Sequence, residues 1–125
     1  MATKPTLMAR LRRLLGRPED ETRLRSTVSA AQAVDLVRDG AALVDVRERH
    51  EWKAGHAPQA IHLPLADLAD KAAQRLPRDR PVVVVCASGM RSRTGAKQLR
   101  SLGFDATSLA GGMPAWQGAG GAARR

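Results

Sequence analysis

The sequence predicts an α/β fold in which helices cover both faces of a mainly parallel sheet. Three observations carry this prediction. Val82 to Val85 form an uninterrupted β-branched run, which is typical of a central strand buried on both faces. Helical apolar spacing begins soon after that run and covers residues 91–102. Elsewhere short apolar segments alternate with helical ones, which favours three layers with the sheet in the middle.

The composition indicates one globular domain. The chain has 125 residues, of which 43% are hydrophobic and 26% charged, and this is enough for a single core. Trp52, Phe104 and Trp116 are its only aromatic residues, so Val, Leu, Ile and Ala must fill the interior. Cys86 is the only cysteine, which excludes an intramolecular disulfide and favours a reducing, cytoplasmic compartment.

Residues 1–25 differ from the rest in their charge, with seven Lys or Arg against three acids. Leucines at helical spacing among the arginines predict a basic amphipathic N-terminal arm. It could pack on the domain, lie on an anionic membrane surface, dock a protein partner or act as an organelle targeting peptide. Arginines interrupt each apolar run, which excludes a secretory signal and a membrane span. No nucleic-acid partner is expected, because no zinc spacing, helix-turn-helix signal or aromatic platform accompanies the charge.

The domain is predicted at residues 26–118, followed by a flexible, Gly/Ala-rich tail at 119–125. Ser29 is the expected N-cap of the first helix. Trp52 is expected to enter the core, and Leu102 to extend the buried face of the helix that contains Leu99. In chain order the elements are a strand at Val28, a helix at 30–38, a strand at 42–46, a helical turn at 48–53, a strand at 60–63, a helix at 65–75, the strand at 82–85, a helix at 91–102, a strand at 105–109 and a helical turn opened by Gly111-Gly112.

Cys86 lies between the central strand and the helix that follows it. A short loop from a strand into a helix N-terminus turns backbone N–H groups inward and forms an anion-binding concavity. The helix dipole and Arg91 add positive potential, and Gly89 permits a positive φ and close approach of a ligand. A thiol in this place loses its proton more easily than a free cysteine and becomes a nucleophile. The alternative is that Cys86 is a small buried hydrophobe.

The length of the loop narrows the chemistry. Four residues separate Cys86 from Arg91, whereas protein tyrosine and dual-specificity phosphatases have five between their Cys and Arg. Their larger ring encloses a tetrahedral phosphate, and a tighter loop suits a smaller charged group such as the outer sulfur of a persulfide. A phosphatase or arsenate reductase therefore stays as the less favoured alternative.

Residues 86–92, Cys-Ala-Ser-Gly-Met-Arg-Ser, resemble the active-site loop of the rhodanese (thiosulfate sulfurtransferase) family. Stretches within residues 43–64 resemble the family's first signature segment, and residues 109–116 resemble its closing segment. The resemblance implies a three-layer rhodanese-like fold. It also implies a sulfurtransferase that moves sulfane sulfur from an anionic donor, thiosulfate or a persulfide, to a thiol or cyanide acceptor through a persulfide on Cys86.

Two further readings of this resemblance stay open. The chain could carry a persulfide to a protein acceptor, or serve as a partner-binding module without turnover of free thiosulfate. No cofactor is expected apart from the covalent persulfide. No metal is expected either, because the three histidines and the single cysteine lack zinc-site spacing.

The expected site is built around the loop, with Cys86 as its catalytic residue. Asp45 ends the strand at 42–46, and the carboxyl ends of parallel strands gather around a ligand, so Asp45 is expected to support the site. Arg47 could add to the field of the site or be solvated. His56, beside a tight turn, is expected to be structural. The expected substrate-binding residues are Ala87, Ser88, Gly89, Met90, Arg91 and Ser92, with Ser92 capping the helix and Met90 at the mouth of the loop.

Overall fold

The structure is a computed structural model that describes residues 23–125. Residues 1–22, and with them most of the predicted basic arm, lie outside the described part of the chain. None of the helices described from residue 23 onward has the length and apolar character needed to span a bilayer. The elements are β1 (Thr27–Val28), α1 (Ala30–Arg38), β2 (Ala42–Asp45), α2 (Arg49–Ala54), β3 (Ile61–His62), α3 (Leu65–Arg75), β4 (Val82–Val85), α4 (Met90–Ser101), β5 (Ala106–Leu109) and α5 (Gly112–Gly118).

The strands form one five-stranded parallel sheet in the order β1-β5-β4-β2-β3. The predicted central strand, β4, does lie in the middle. Its register with β2 places Asp45 beside Val85, immediately before Cys86. The two strand ends that the sequence singles out therefore meet at the same edge of the sheet.

The core has two halves, one on each face of the sheet, and β4 contributes to both. Val82 and Val84 pack with the side of the sheet covered by α3 and α4, and Val83 and Val85 with the side covered by α1 and α5. All four are 0% exposed. Burial of one Val side chain is worth about 1.5 kcal/mol or more, so this β-branched run is a main source of stability. The three-layer prediction is confirmed.

Local sequence signals set the ends of the helices. Ser29 caps α1 as predicted: its Oγ accepts a hydrogen bond from the Gln32 N–H at 3.1 Å, and Gln32 Oε1 accepts one from the Ser29 N–H at 3.0 Å. This capping box satisfies two N–H groups that the helix itself leaves without partners. Gly103, with φ of +94°, ends α4 just after its last turn.

Two predicted core positions are wrong. Trp52 does not enter the core, because no residue of α2 is buried. Its ring stacks instead with two imidazoles, with centroid distances of 3.6 Å to His56 and 4.7 Å to His62. Leu102 is 41% exposed. It is the C-cap of α4, where the backbone leaves the helix and the helical spacing no longer fixes the direction of a side chain.

Residues 119–125 fold back on the domain, contrary to the predicted flexible tail. The Gly121 N–H donates to the Trp116 carbonyl and the Trp116 indole N–H donates to the Ala122 carbonyl, both at 2.8 Å. Arg124 and His56 exchange two backbone hydrogen bonds of 2.8 Å. Gly121 lies so close to the indole of Trp116 that a Cβ would collide with the ring. Because Gly121 has no Cβ, the backbone can lie flat against the indole of Trp116. A Gly/Ala-rich composition by itself predicts only a flexible segment.

Candidate active site

The loop after β4 encloses the sulfur of Cys86. Cys86 is 0% exposed, and its Sγ accepts hydrogen bonds from the N–H groups of Gly89 at 3.0 Å and Ser92 at 3.2 Å. Gly89 is the N-cap of α4 and has φ of +110°, which a residue with a Cβ rarely adopts. Within residues 23–125, no imidazole or carboxylate hydrogen-bonds to this sulfur. The loop backbone and the first turn of the helix surround it instead.

Two opposing effects act on the Cys86 thiol. Burial raises its pKa, because the thiolate loses water. Hydrogen bonding from Ser92 and from the N–H groups of Gly89 and Ser88 lowers it more strongly, so the net pKa of Cys86 lies below its usual value. A larger fraction of the thiol is therefore the reactive thiolate near neutral pH.

The loop retains N–H groups that could bind an anion. The N–H groups of Ala87 and Met90 make no hydrogen bond to any residue from 23 to 125. Met90, the first residue of α4, has a side chain that is 70% exposed, and Ser88 is exposed as well. The predicted loop residues thus form one rim around the sulfur, with the backbone inward and these side chains outward.

Ser92 is not the helix cap that the sequence predicts, because Gly89 holds that position and Ser92 lies three residues into α4. The side chain is buried and has another task. Its Oγ donates to the Gly89 carbonyl at 3.1 Å and shares a 2.7 Å hydrogen bond with Ser108 Oγ. Ser108 belongs to β5, beside Val84 of β4, and it ties the loop to the neighbouring strand. Ser108 has no distinguishing signal in the sequence, because a serine on a buried strand cannot be told from a packing residue.

The segment before α5 supports the loop from behind. The Met113 N–H donates to the Cys86 carbonyl at 2.9 Å. Gly112 has φ of +69°, and a Cβ there would collide with the Ala87 carbonyl and the Ser88 nitrogen. Residues 109–116, which resemble the family's closing segment, thus contact the backbone of the Cys86 loop and hold it in place.

Arg91 points to a residue that the sequence analysis did not place in the site. Its guanidinium donates two hydrogen bonds to the Glu51 carboxylate, at 2.7 and 2.8 Å. This pairing, together with the hydrogen bond that Glu51 accepts from the Glu48 N–H, lowers the pKa of Glu51 to about 2 despite partial burial. Glu51 and the nearby Cys86 thiolate raise the pKa of Arg91. The positive charge at the loop is therefore partly balanced by Glu51.

Asp45 and Arg47, the two predicted supporting residues, pair with each other. The Arg47 guanidinium donates to both carboxylate oxygens of Asp45, at 2.8 to 3.0 Å, and to the Gly55 carbonyl at 2.7 Å. The pair is buried, so Arg47 is not a solvated side chain. It contacts the Cys86 loop in no hydrogen bond and instead lines a separate cavity with Glu51.

The two histidines beside Trp52 have structural partners. His56 Nδ1 lies 2.7 Å from the Trp52 carbonyl, and His62 Nε2 lies 2.8 Å from the Arg47 carbonyl. In the described chain, residues 23–125, no group of three or more His, Cys, Asp or Glu side chains is placed to hold a metal ion. The groups that contact the Cys86 sulfur are backbone N–H donors of the loop and of the first turn of α4.

Comparison with known proteins gives a consistent result. Thiosulfate sulfurtransferase GlpE of Pseudomonas savastanoi pv. phaseolicola is 39% identical over 87 residues, which are 69% of this chain and 81% of that protein. The tRNA sulfurtransferase of Desulfurococcus amylolyticus is 39% identical over 83 residues, but these are only 16% of that longer protein. The structure of human single-domain sulfurtransferase TSTD1 superimposes with a TM-score of 0.67 and 30% identity, covering 76% of this chain and 97% of that one.

The family assignment follows from these matches and the site. The family model described as Rhodanese-like domain matches residues 29–119, which include every strand but β1 and every helix. The predicted rhodanese-like fold is thereby confirmed, and this chain belongs to the rhodanese-like family, whose relatives here are sulfurtransferases.

Proposed function

We propose that this chain transfers sulfane sulfur from an anionic donor to a thiophilic acceptor through a persulfide on Cys86. The observation that carries the proposal is the Cys86 sulfur itself. It is buried, it accepts two backbone hydrogen bonds, and its pKa is lowered without help from any imidazole or carboxylate of residues 23–125. Such a nucleophile is ready to attack without a general base.

The first half-reaction loads the sulfur. With thiosulfate as donor, the Cys86 thiolate attacks the outer sulfur, the S–S bond of thiosulfate breaks, and sulfite leaves with the bonding electron pair. The N–H groups of Ala87 and Met90, which have no hydrogen-bond partner among residues 23–125, are suited to hold the donor anion, and Arg91 adds positive potential. The name of the Pseudomonas relative, a thiosulfate sulfurtransferase, supports this choice of donor.

The second half-reaction transfers the sulfur from Cys86 to the acceptor. An acceptor such as cyanide or a thiolate attacks the outer sulfur of the persulfide, and the Cys86 thiolate is released in its original state. The same backbone N–H groups that stabilise the thiolate would stabilise the persulfide anion between the two steps. The cycle is covalent catalysis with ping-pong kinetics, and it uses no cofactor beyond the sulfur on Cys86.

Two alternatives to this cycle remain, a persulfide carrier and a phosphatase or arsenate reductase. A persulfide carrier would take the sulfur from a protein partner. Cys86 is completely buried, and this favours a small anion that can enter the loop over a protein persulfide as the donor. Phosphatase or arsenate reductase chemistry stays disfavoured by the four-residue spacing between Cys86 and Arg91.

A cytoplasmic location belongs to the proposal as well, since a catalytic thiol requires reducing conditions to stay free.

Intact-protein mass spectrometry tests the proposal. Incubation with thiosulfate is expected to add one sulfur atom, and subsequent cyanide to remove it. Cys86→Ser removes the only thiol while keeping the size of the side chain, and it is expected to add none. Loading of the Cys86→Ser variant would overturn the scheme. Failure of the wild type to load with thiosulfate would exclude free thiosulfate as donor and favour the carrier.

A further inference from the structure

Two buried serines lie behind the Cys86 loop and share a hydrogen bond of 2.7 Å between their hydroxyl groups. Ser92 lies in the first turn of α4, Ser108 lies on β5, and both are 0% exposed. Ser108 is in register with Val84, so the pair connects the loop to the strand beside β4. Because both side chains are buried, protein groups rather than bulk water must accept their hydroxyl protons.

Counting the hydroxyl protons fixes the direction of this hydrogen bond. Ser92 Oγ also lies 3.1 Å from the carbonyl oxygen of Gly89, which can only accept a proton. A serine has a single hydroxyl proton, so Ser92 donates to Gly89 and accepts from Ser108. The opposite direction would leave two oxygens facing each other with no proton between them. The proton of Ser108 would then have no acceptor among residues 23–125.

This direction turns the positive end of the Ser92 hydroxyl towards the loop. Burial raises the pKa of Cys86, and hydrogen bonding from the Ser92 side chain is the strongest of the effects that lower it. A hydroxyl that accepts a hydrogen bond becomes a better donor, because hydrogen bonds in a chain polarise one another. The proton of Ser108 thus strengthens the group that favours the thiolate.

The same chain of hydrogen bonds reaches the side of the loop that is suited to an anion. The carbonyl of Gly89 and the N–H of Met90 belong to one peptide group, so a hydrogen bond accepted by this carbonyl makes that N–H a stronger donor. The Met90 N–H has no hydrogen-bond partner among residues 23–125. It is therefore polarised towards an anion bound at the loop.

We propose that Ser108 is a positioning residue, which holds the Ser92 hydroxyl in the direction that activates the Cys86 loop. Ser108 makes no hydrogen bond to the sulfur and acts through Ser92, 16 positions away in the sequence. Its effect on the thiol does not depend on the proposed function. Its effect on donor binding, through the Met90 N–H, rests on that function.

The rate of alkylation by iodoacetamide, measured across a range of pH, tests the effect on the thiol. Cys86 is the only cysteine, so the signal belongs to it. Ser108→Ala removes the donated proton, which should make alkylation at pH 6 about twofold slower than in wild type. At pH 10, where the thiol of both proteins is ionised, the two rates should be equal. Arg91 and Glu51, the ion pair near the sulfur, are unchanged in every variant.

The matched control is Thr107→Val, which removes another buried hydroxyl from β5. The Oγ1 of Thr107 has no hydrogen-bond partner among residues 23–125, so this change should leave the alkylation rate unaltered. Ser108→Thr keeps the hydroxyl and should restore the wild-type rate at pH 6. In a Ser92→Ala background, Ser108→Ala should have no further effect on the rate, because its action passes through the Ser92 hydroxyl.

Several results would contradict the proposal. Faster alkylation of Ser108→Ala at pH 6 would show that Ser92 donates to Ser108, and an unchanged rate would show that the hydrogen bond does not act on the thiol. A rate lowered by the same factor at pH 6 and pH 10, or lowered equally in Thr107→Val, would show only a general loosening of the loop. An effect that persists in the Ser92→Ala background would show that Ser108 acts by another route.

Donor binding is measured separately, by following the loading of Cys86 by mass spectrometry at increasing thiosulfate concentration. A weaker Met90 N–H should raise the concentration needed for half-maximal loading about twofold in Ser108→Ala and not in Thr107→Val. An unchanged concentration in Ser108→Ala would refute the effect on donor binding. If the wild type does not load at all, the proposed function fails, and the alkylation rates still decide whether Ser108 acts on the thiol.

Discussion

The pair between Arg91 and Glu51 joins the nucleophile loop to α2, and Glu51→Gln tests what it contributes. The pKa of Glu51 falls from 4.5 to about 2 in the folded protein. At about 1.4 kcal/mol per unit, this shift sets an upper limit of about 3.5 kcal/mol. The side chains are 35% and 23% exposed, so solvent screens the interaction, and we expect about 1 kcal/mol for this bidentate pair.

The pH dependence has a definite sign. Because the folded-state pKa of Glu51 is lowered, its contribution is complete above pH 4.5 and is lost as pH falls from 4.5 towards 2. Urea unfolding should therefore show Glu51→Gln less stable than wild type by about 1 kcal/mol at pH 7, with a smaller difference at pH 3. Asp70→Asn, an exposed carboxylate on α3, is the matched control and should change stability by less than about 0.5 kcal/mol.

The same variant has an effect on the thiol. Without the carboxylate, the charge of Arg91 acts on the Cys86 loop undiminished, so the pKa of Cys86 should fall further. Alkylation by iodoacetamide at pH 6 should then be faster in Glu51→Gln than in wild type. Equal stability of the two proteins at pH 7, or a difference that persists unchanged at pH 3, would refute the assigned role of the pair. Slower alkylation would show that Glu51 acts by positioning Arg91 rather than by balancing its charge.

One glycine substitution and one carboxylate substitution test two other parts of the structure. Gly112→Ala forces a Cβ into the Ala87 carbonyl, so it should lower the free energy of unfolding by about 2 kcal/mol and slow alkylation of Cys86. The control is Gly118→Ala, which has open space around it. It should leave the alkylation rate unchanged and the free energy of unfolding unchanged or slightly raised. Asp105→Asn should raise the free energy of unfolding by about 1 kcal/mol at pH 7, because burial raises the pKa of Asp105 and its Oδ2 has no partner within residues 23–125. That gain should vanish below pH 3.8, where the wild-type carboxyl is protonated in both states.

The prediction from sequence was strongest where local chemistry decides the structure. A β-branched run makes β4, a serine caps α1, and a glycine with positive φ turns the chain into α4. The same local rules place Cys86 between a strand end and a helix N-terminus, and they give the direction of its pKa shift. Trp52 and Leu102 depart from the predicted burial because a helix six residues long, or a helix end, does not fix which way an apolar side chain faces.

The remaining features depend on residues far apart in the chain. Glu51 and Arg91 are 40 positions apart, and Ser92 meets Ser108 only because β5 lies beside β4. The sequence predicts a flexible tail at residues 119–125, because Gly and Ala carry little side chain to bury. Its order comes instead from the indole of Trp116 and the backbone of His56, neither of which is marked in the local sequence.

These long-range contacts determine how the thiolate is stabilised. The groups that lower the pKa of Cys86 come from residues 88–92, so the loop motif alone names the donors. Their positions, however, are fixed from outside the motif, since Ser108 holds Ser92, Glu51 holds Arg91, and Gly112 and Met113 contact the loop from behind. A substitution at Gly112 should therefore affect the nucleophile more than one at Ser88, whose side chain points to solvent. The reactivity of the sulfur is in this sense a property of the whole sheet edge, with the motif supplying its N–H groups.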